Sequence, residues 1–260
     1  MTALPSRAPG APGVPAPALR RSLLRLFTVQ GSYNYERMQG IGVGVAEEPL
    51  LRDLRASGNG AAYRAAVARG ARFFNAHPYL CGLAVGAAAR AEHEGVPPEQ
   101  VERLRAALCG PLGSLGDRLV WAGWLPFTSA LAVIGVALGL GLWAVLAFLL
   151  VYNAGHVTLR WWALSAGWAH GVRVAAALHQ PALQRATRLS GPAMACAAGA
   201  ALPLAVQVLS RPFAGWPRTV LAVTAAAGVA LLWWRRGKLT GLRFGLALLA
   251  VAALVGWVWR

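Results

Sequence analysis

The chain has 260 residues, 57% of them hydrophobic and only 13% charged, with a mean hydropathy of +0.50 and 11 Trp. Soluble domains carry about a quarter of charged residues, so this balance argues against one and for a membrane protein. The formal charge of +16 is no nucleic-acid footprint: the basic residues are spread between apolar blocks, and anionic lipid headgroups account for them better.

Residues 1–18 are rich in proline and lack an apolar core, so they read as a disordered cytoplasmic tail rather than a signal peptide. Residues 19–30, LRRSLLRLFTVQ, put Leu19, Leu23, Leu26 and Phe27 on one helix face and Arg20, Arg21 and Arg25 off it. This pattern suits an amphipathic helix at a membrane interface; an ordinary surface helix is the alternative. Residues 31–60 are polar and glycine-dense. A helix is expected from about Ala61 to Phe74, ended by a break at Asn75–Pro78, where His77 is biased away from helical angles by the proline after it. Cys81–Glu94 is too short to span a bilayer. Pro98 then starts a further helix with Glu99 and Glu102 in its first turn, and GPLGSLGD is expected to stop it. Residues 31–118 thus form a polar part built of broken helices.

Residues 119–159 contain no Asp, Glu, Lys or Arg. They suffice for one long span or a tight pair, with GLGL, near 138–141, offering a bend. Further apolar stretches are Trp161–Leu178, which carries His170 and Arg173, then Leu189–Ser210, Thr219–Trp234 and Phe244–Trp259. The cluster Arg235, Arg236, Lys238 and Arg243 should be cytoplasmic, which puts the C-terminus on the outer side. The expected fold over residues 19–260 is all-α and polytopic. It has an N-terminal amphipathic interfacial helix, broken or re-entrant helical hairpins, and several transmembrane helices.

Four polar clusters interrupt the apolar pattern. They are NYERMQG (Asn34, Glu36, Arg37, Gln39), FFNAHP (Asn75, His77), GPLGSLGD (Ser114, Asp117) and YNAGH (Asn153, His156). Amides, carboxylates and imidazoles are what a sugar site needs, because hydroxyls both donate and accept. Broken helices add free backbone groups. Simpler roles compete: Asn75 as a helix cap, His77 bonded to a backbone carbonyl, Asp117 as an N-cap. Asn153 and His156, at i and i+3 in a charge-free block, share a helix face where polar groups usually act. Enzyme templates fail. HEGVP at His93 lacks the second zinc histidine, no nucleophile elbow or phosphate loop occurs, and Cys81, Cys109 and Cys196 have no metal spacing. No catalytic residue, metal or cofactor is expected.

The stretches NYERMQGIGVGVAEEPLL, FFNAHPYLCGLAVGAA, GPLGSLGDRLVW and YNAGHVTLRWWALSAGWAHG follow one another in the chain. Together they resemble the IID component, the membrane subunit of mannose/fructose/sorbose-type sugar phosphotransferase systems. The likeness is strong from Leu19 to Gly171 and looser beyond. It implies a bacterial inner-membrane subunit that works beside a IIC subunit, in a trimer of IIC–IID pairs, and moves sugar by an elevator-like motion. Phosphate would pass through the soluble carriers IIA and IIB, so His77 is not a phosphohistidine. By position in the matching motifs, the resemblance implies a core near the IIC interface and sugar path. It would comprise Asn34, Glu36, Gln39, Asn75, His77, Gly116, Asp117, Asn153 and His156. Arg118 stands where the family usually has a small residue, and the C-terminal third is rich in Ala and Arg. These departures leave a second reading open: a regulatory scaffold that keeps the IIC–IID fold without transport.

Overall fold

Glycine placement decides how this chain packs, and it explains where the structure departs from expectation. The computed structural model describes residues 16–210. Of these, residues 16–206 belong to one compact unit. The tail at 1–15, the blocks Thr219–Trp234 and Phe244–Trp259, and the basic cluster at 235–243 lie outside the described residues. Among the described residues the structure is helical, with only the isolated bridges Asn34–Met38 and Met38–Phe74.

Helix α1 (Ala16–Leu26) buries Ser22 and Leu26, with Leu19 and Leu23 packed against the same core. Phe27 lies past the helix end, 40% exposed, with its ring against His156. Ser22 Oγ donates to the Ala46 carbonyl at 2.7 Å, which ties α1 to α2. Helix α2 (Gly40–Ala56) occupies a segment that composition marks as irregular. Its glycines cost helix propensity, about 1 kcal/mol each relative to Ala, but they allow backbone-to-backbone contact. A Cβ on Gly40 would stand 1.9 Å from the Arg72 carbonyl oxygen, and one on Gly42 2.0 Å from that of Val29.

Helix α3 (Gly60–Gly70) starts where Asn59 Oδ1 accepts the Ala62 N–H at 3.2 Å. It ends short of Phe74 because the following residues leave the helix to pair with the NYERMQG loop. Phe74 receives the Gln39 N–H at 2.9 Å and gives its own to Arg37 O at 3.2 Å. Helix α4 (Cys81–His93) is buried from Cys81 to Ala91. It lies against the second half of α7 through glycines on both sides. Gly82 and Gly86 face Leu164, and Gly167 faces Leu83.

Helix α5 (Pro98–Gly116) does not stop at GPLGSLGD. A π-helical stretch, Asp117–Trp124, and then α6 (Leu125–Ala137) continue it without a break. The run is 40 residues, about 60 Å at 1.5 Å per residue. The expected stop is therefore wrong, and Asp117 is no N-cap, since helix precedes it. Glycine accepts helical angles as readily as turn angles, and the buried positions Arg105, Leu108, Leu112 and Gly116 keep helical spacing through the Gly-rich run. After α6 the chain reverses at Leu138–Gly141, with Gly139 at φ +90 and Gly141 at φ +50, angles that suit glycine. Helix α7 (Leu142–His170) returns alongside α6. The charge-free block is thus a tight pair, bent where GLGL stands. A 3-10 turn (Gly171–Arg173), the short α8 (Ala175–Leu178) and α9 (Pro181–Ser210) follow, and Ala197 and Ala201 of α9 pack on Ala130 of α6.

Among the described residues, three helical runs are long and apolar enough to cross a membrane: Pro98–Ala137, Leu142–Arg173 and Pro181–Val208. Their apolar windows are 28%, 6% and 11% buried within the chain, so lipid or another subunit must cover most of that surface. The protein is an all-α membrane protein.

Charge pairing belongs to the acidic first half. Glu47 and Arg105 meet at 2.8 Å in the core, and Arg105 also donates to the Gly70 carbonyl at 2.7 Å. Arg69 and Glu92 pair at 2.6 Å. Burial pushes the Glu47 carboxyl up to about 7 against the pull of Arg105. The hydrogen bond from Arg52, with those from Arg25 and Tyr63, holds Glu48 down at about 2 although burial opposes it.

Candidate functional site

Proline at 78 fixes the shape of the FFNAHPYL break. It keeps His77 out of the helix, and the His77 carbonyl is free to accept the N–H groups of Leu80 (3.0 Å) and Cys81 (3.2 Å), which starts α4. The His77 ring then turns inward and is 2% exposed. Its Nδ1 accepts the Tyr79 N–H at 3.2 Å, so in the neutral ring the proton sits on Nε2. No backbone carbonyl receives that proton: Nε2 is buried without a partner among the described residues. Burial, with the Arg160 guanidinium and the His156 ring beside it, holds the imidazole down at about 4.

Gly116 is the seat of that ring. A Cβ there would lie 2.2 Å from His77 Cβ and 2.3 Å from Cγ. One turn further, on the π-helical stretch, Trp121 meets the imidazole at a tilt of 53° with ring centroids 4.9 Å apart. Tyr79 meets the same imidazole edge-on at 5.0 Å. The other face of the cluster comes from α7. His156 stacks on Tyr79 at 4.0 Å and 14°, and the hydroxyls of Tyr79 and Tyr152 are 2.6 Å apart. Arg160, one helical turn past His156, donates from Nε to His156 Nε2 at 2.6 Å. It also hydrogen-bonds the Leu26 carbonyl at the end of α1, and its guanidinium covers the rings of Tyr79 (4.8 Å) and Phe27 (5.2 Å).

Three motifs far apart in sequence therefore converge. His77, Gly116 and His156 come together, and Gln39 joins from below: it is 3% exposed and accepts from the Cys81 thiol at 3.1 Å. The remaining candidates are elsewhere or turned outward. Asn34 organises its own loop, with Oδ1 accepting the N–H of Glu36 (3.1 Å) and Arg37 (2.8 Å). Glu36 is exposed beside Arg37, at 3.5 Å. Asn75 and Asp117 are exposed, and neither caps a helix by its side chain. Asn153 is exposed too and folds back on the Leu149 carbonyl at 2.7 Å, away from His156. The i, i+3 spacing of Asn153 and His156 thus does not bring both to one site.

Tyr79, Trp121, Tyr152 and Arg160 belong to the cluster and stand inside the four matching stretches, but the sequence reading does not count them among the candidates. Arg160 had a signal: it is the first charge after the block at 119–159, and it stands four residues after His156. The aromatics are hidden among 11 Trp and 5 Tyr. Among the described residues no group of His, Cys, Asp and Glu is placed to hold a metal.

Comparison with known proteins gives a consistent picture. The model of the mannose/fructose/sorbose family IID component of the phosphotransferase system matches residues 14–199. The chain is 32% identical over 169 residues to a sorbose-specific EIID component of Klebsiella pneumoniae, an alignment covering 63% of this chain and 61% of that protein. It is 27% identical over 174 residues to a mannose-specific EIID component of Escherichia coli K12, covering 65% and 61%. The alignments thus span about three fifths of these curated relatives. One solved structure, described as a membrane protein, superposes with a TM-score of 0.71 at 21% identity, covering 95% of this chain and 98% of that one. A chain of the mannose transporter ManYZ in complex with microcin E492 gives 0.56 at 21% identity, covering 95% and 97%. Those two likenesses show the fold.

Proposed function

We propose a role with family membership as its premise: the chain belongs to the IID components of the mannose/fructose/sorbose family of the phosphotransferase system, and as such it acts as a permease subunit. It pairs with a IIC subunit in the bacterial inner membrane, in a trimer of such pairs, with the N-terminus cytoplasmic and the C-terminus outside. The pair carries a hexose of the mannose, fructose or sorbose type, which IIB phosphorylates with phosphate relayed from IIA. The phosphoryl-transfer residues are on those carriers.

One observation supports this reading above the rest: the convergence of His77, Gly116 and His156 in one polar and aromatic cluster between α4, α5 and α7. A chain kept only for membrane anchoring has no need to bury a histidine and an arginine beside a second, half-buried histidine. In this reading Gln39, His77, Gly116 and His156 hold the shape of the core. Asn34, Glu36, Asn75, Asp117 and Asn153 offer polar groups toward IIC or the sugar.

Co-expression with the cognate IIC, IIA and IIB tests it. The IIC subunit should co-purify in detergent, and vesicles should take up sugar only when phosphoenolpyruvate is supplied. An assembled complex that moves none of the three sugar types would instead favour the regulatory scaffold.

A further inference from the structure

Four buried polar atoms lack a partner among the described residues: His77 Nε2, Arg90 Nη1, Ser165 Oγ and His170 Nε2. His77 differs from the others in what covers it. Its Nε2 carries the proton, because Nδ1 is already an acceptor for Tyr79 N–H. A buried donor left unpaired costs about 1–3 kcal/mol, so its persistence at the meeting point of three motifs calls for an acceptor that the described residues do not supply. The Trp121 ring beside it, with centroids 4.9 Å apart and tilted by 53°, is 44% exposed, and its indole N–H makes no hydrogen bond among the described residues. Trp121 also stands in the π-helical stretch Asp117–Trp124, flanked by Gly116 and followed by Pro126. Such stretches are rare and are concentrated at functional positions. Here the looser winding sets the direction of Trp121 apart from an ordinary α-helical register.

We propose that Trp121 is a movable cover over His77, and that His77 Nε2–H donates to one hydroxyl of the transported sugar while the indole face packs on its C–H surface. The inference rests on the transport reading above and assigns two residues within it. An aromatic face next to a single fixed donor fits a polyhydroxylated ring: the face gives apolar contact, and the donor selects a hydroxyl at one position. A fixed, desolvated donor discriminates strongly against an analogue that lacks the matching group.

The test is equilibrium binding of hexoses to the purified IIC–IID complex, with the parent sugar compared against its singly deoxygenated analogues. Wild type should bind one analogue about tenfold more weakly or worse. His77→Phe should bind that analogue and the parent alike, and His77→Gln, which keeps a donor, should restore part of the difference. Trp121→Ala should weaken the parent and all analogues by a similar factor while preserving the discrimination, and Trp121→Phe should be milder. Co-purification of IIC reports folding of each variant. An unchanged deoxy pattern in both His77 variants overturns the assignment of His77, and unchanged affinity in Trp121→Ala overturns that of the cover. A wild-type complex that binds no hexose defeats the transport reading itself, and this inference with it.

Discussion

Gly116→Ala is the substitution whose outcome follows most directly from the geometry. The added Cβ would sit 2.2 Å from His77 Cβ, an atom one bond from the backbone, so no rotamer change can relieve the clash. Either α5 or the break before α4 must shift. Forced overpacking of this sort costs about 1–3 kcal/mol, and for a unit of this size each kcal/mol lowers Tm by about 2–4 °C. Gly113→Ala, one turn earlier on α5, is the control. Nothing lies within 4 Å of its added methyl, and helix propensity alone should stabilise it by about 0.5–1 kcal/mol. Thermal melting of the two variants in the same detergent should give shifts of opposite sign. If Gly116→Ala melts at or above Gly113→Ala, the packing of His77 on α5 described above is wrong.

Above about pH 7, where Glu47 is ionised, Glu47→Ala leaves Arg105 buried without its carboxylate and should lower stability by about 3–5 kcal/mol, measured by denaturant or thermal unfolding. Because the folded Glu47 carboxyl titrates near 7 rather than 4.5, its contribution is complete below about pH 4.5 and is lost as pH rises through about 7. Wild type should therefore lose stability relative to Glu47→Gln across that window, and a flat difference would refute the upward shift. Arg160→Met removes a donor from both His156 Nε2 and the Leu26 carbonyl; hydrogen exchange across Ala16–Leu26 should rise sharply, whereas Arg188→Met on α9 should leave it unchanged. Asn34→Ala breaks two backbone bonds of the loop and should cost about 1 kcal/mol, while Glu36→Ala, on an exposed side chain, should stay within about 0.5 kcal/mol.

Much of the membrane half was legible because its signal is redundant. A block free of charge from 119 to 159 admits one long span or a tight pair, and with glycines at 139 and 141 at the bend the pair is what forms. The first half was harder, since its glycines serve two purposes. In GIGVGV they open the way for Val29 and Arg72 to reach the backbone of α2, and in GPLGSLG they let α5 reach His77. Composition alone reads both as loop. The candidate site divides along the same line. Motif position picked out His77, Gly116 and His156, but the long-range contacts of Tyr79 and Trp121 depend on packing between elements far apart in sequence, and no local pattern encodes them.

The position of Arg160 follows from the charge distribution of the chain. Every acidic residue lies at or before Asp117, and those in the core are taken: Glu47 by Arg105, Glu92 by Arg69. A guanidinium entering the core from α7, only 4% exposed, must therefore be stabilised without a carboxylate. The fold supplies two weaker substitutes. The carbonyl at the end of α1 carries the partial negative charge of a helix C-terminus, and the faces of Tyr79 and Phe27 offer their quadrupoles. This couples α1 to the site, because the same cation that holds the end of α1 also donates to His156 and lies over Tyr79. A displacement of α1 removes part of what neutralises Arg160, and the aromatic cluster around His77 must respond. The N-terminal helix is thereby part of the energetics of the core, whatever its contact with lipid.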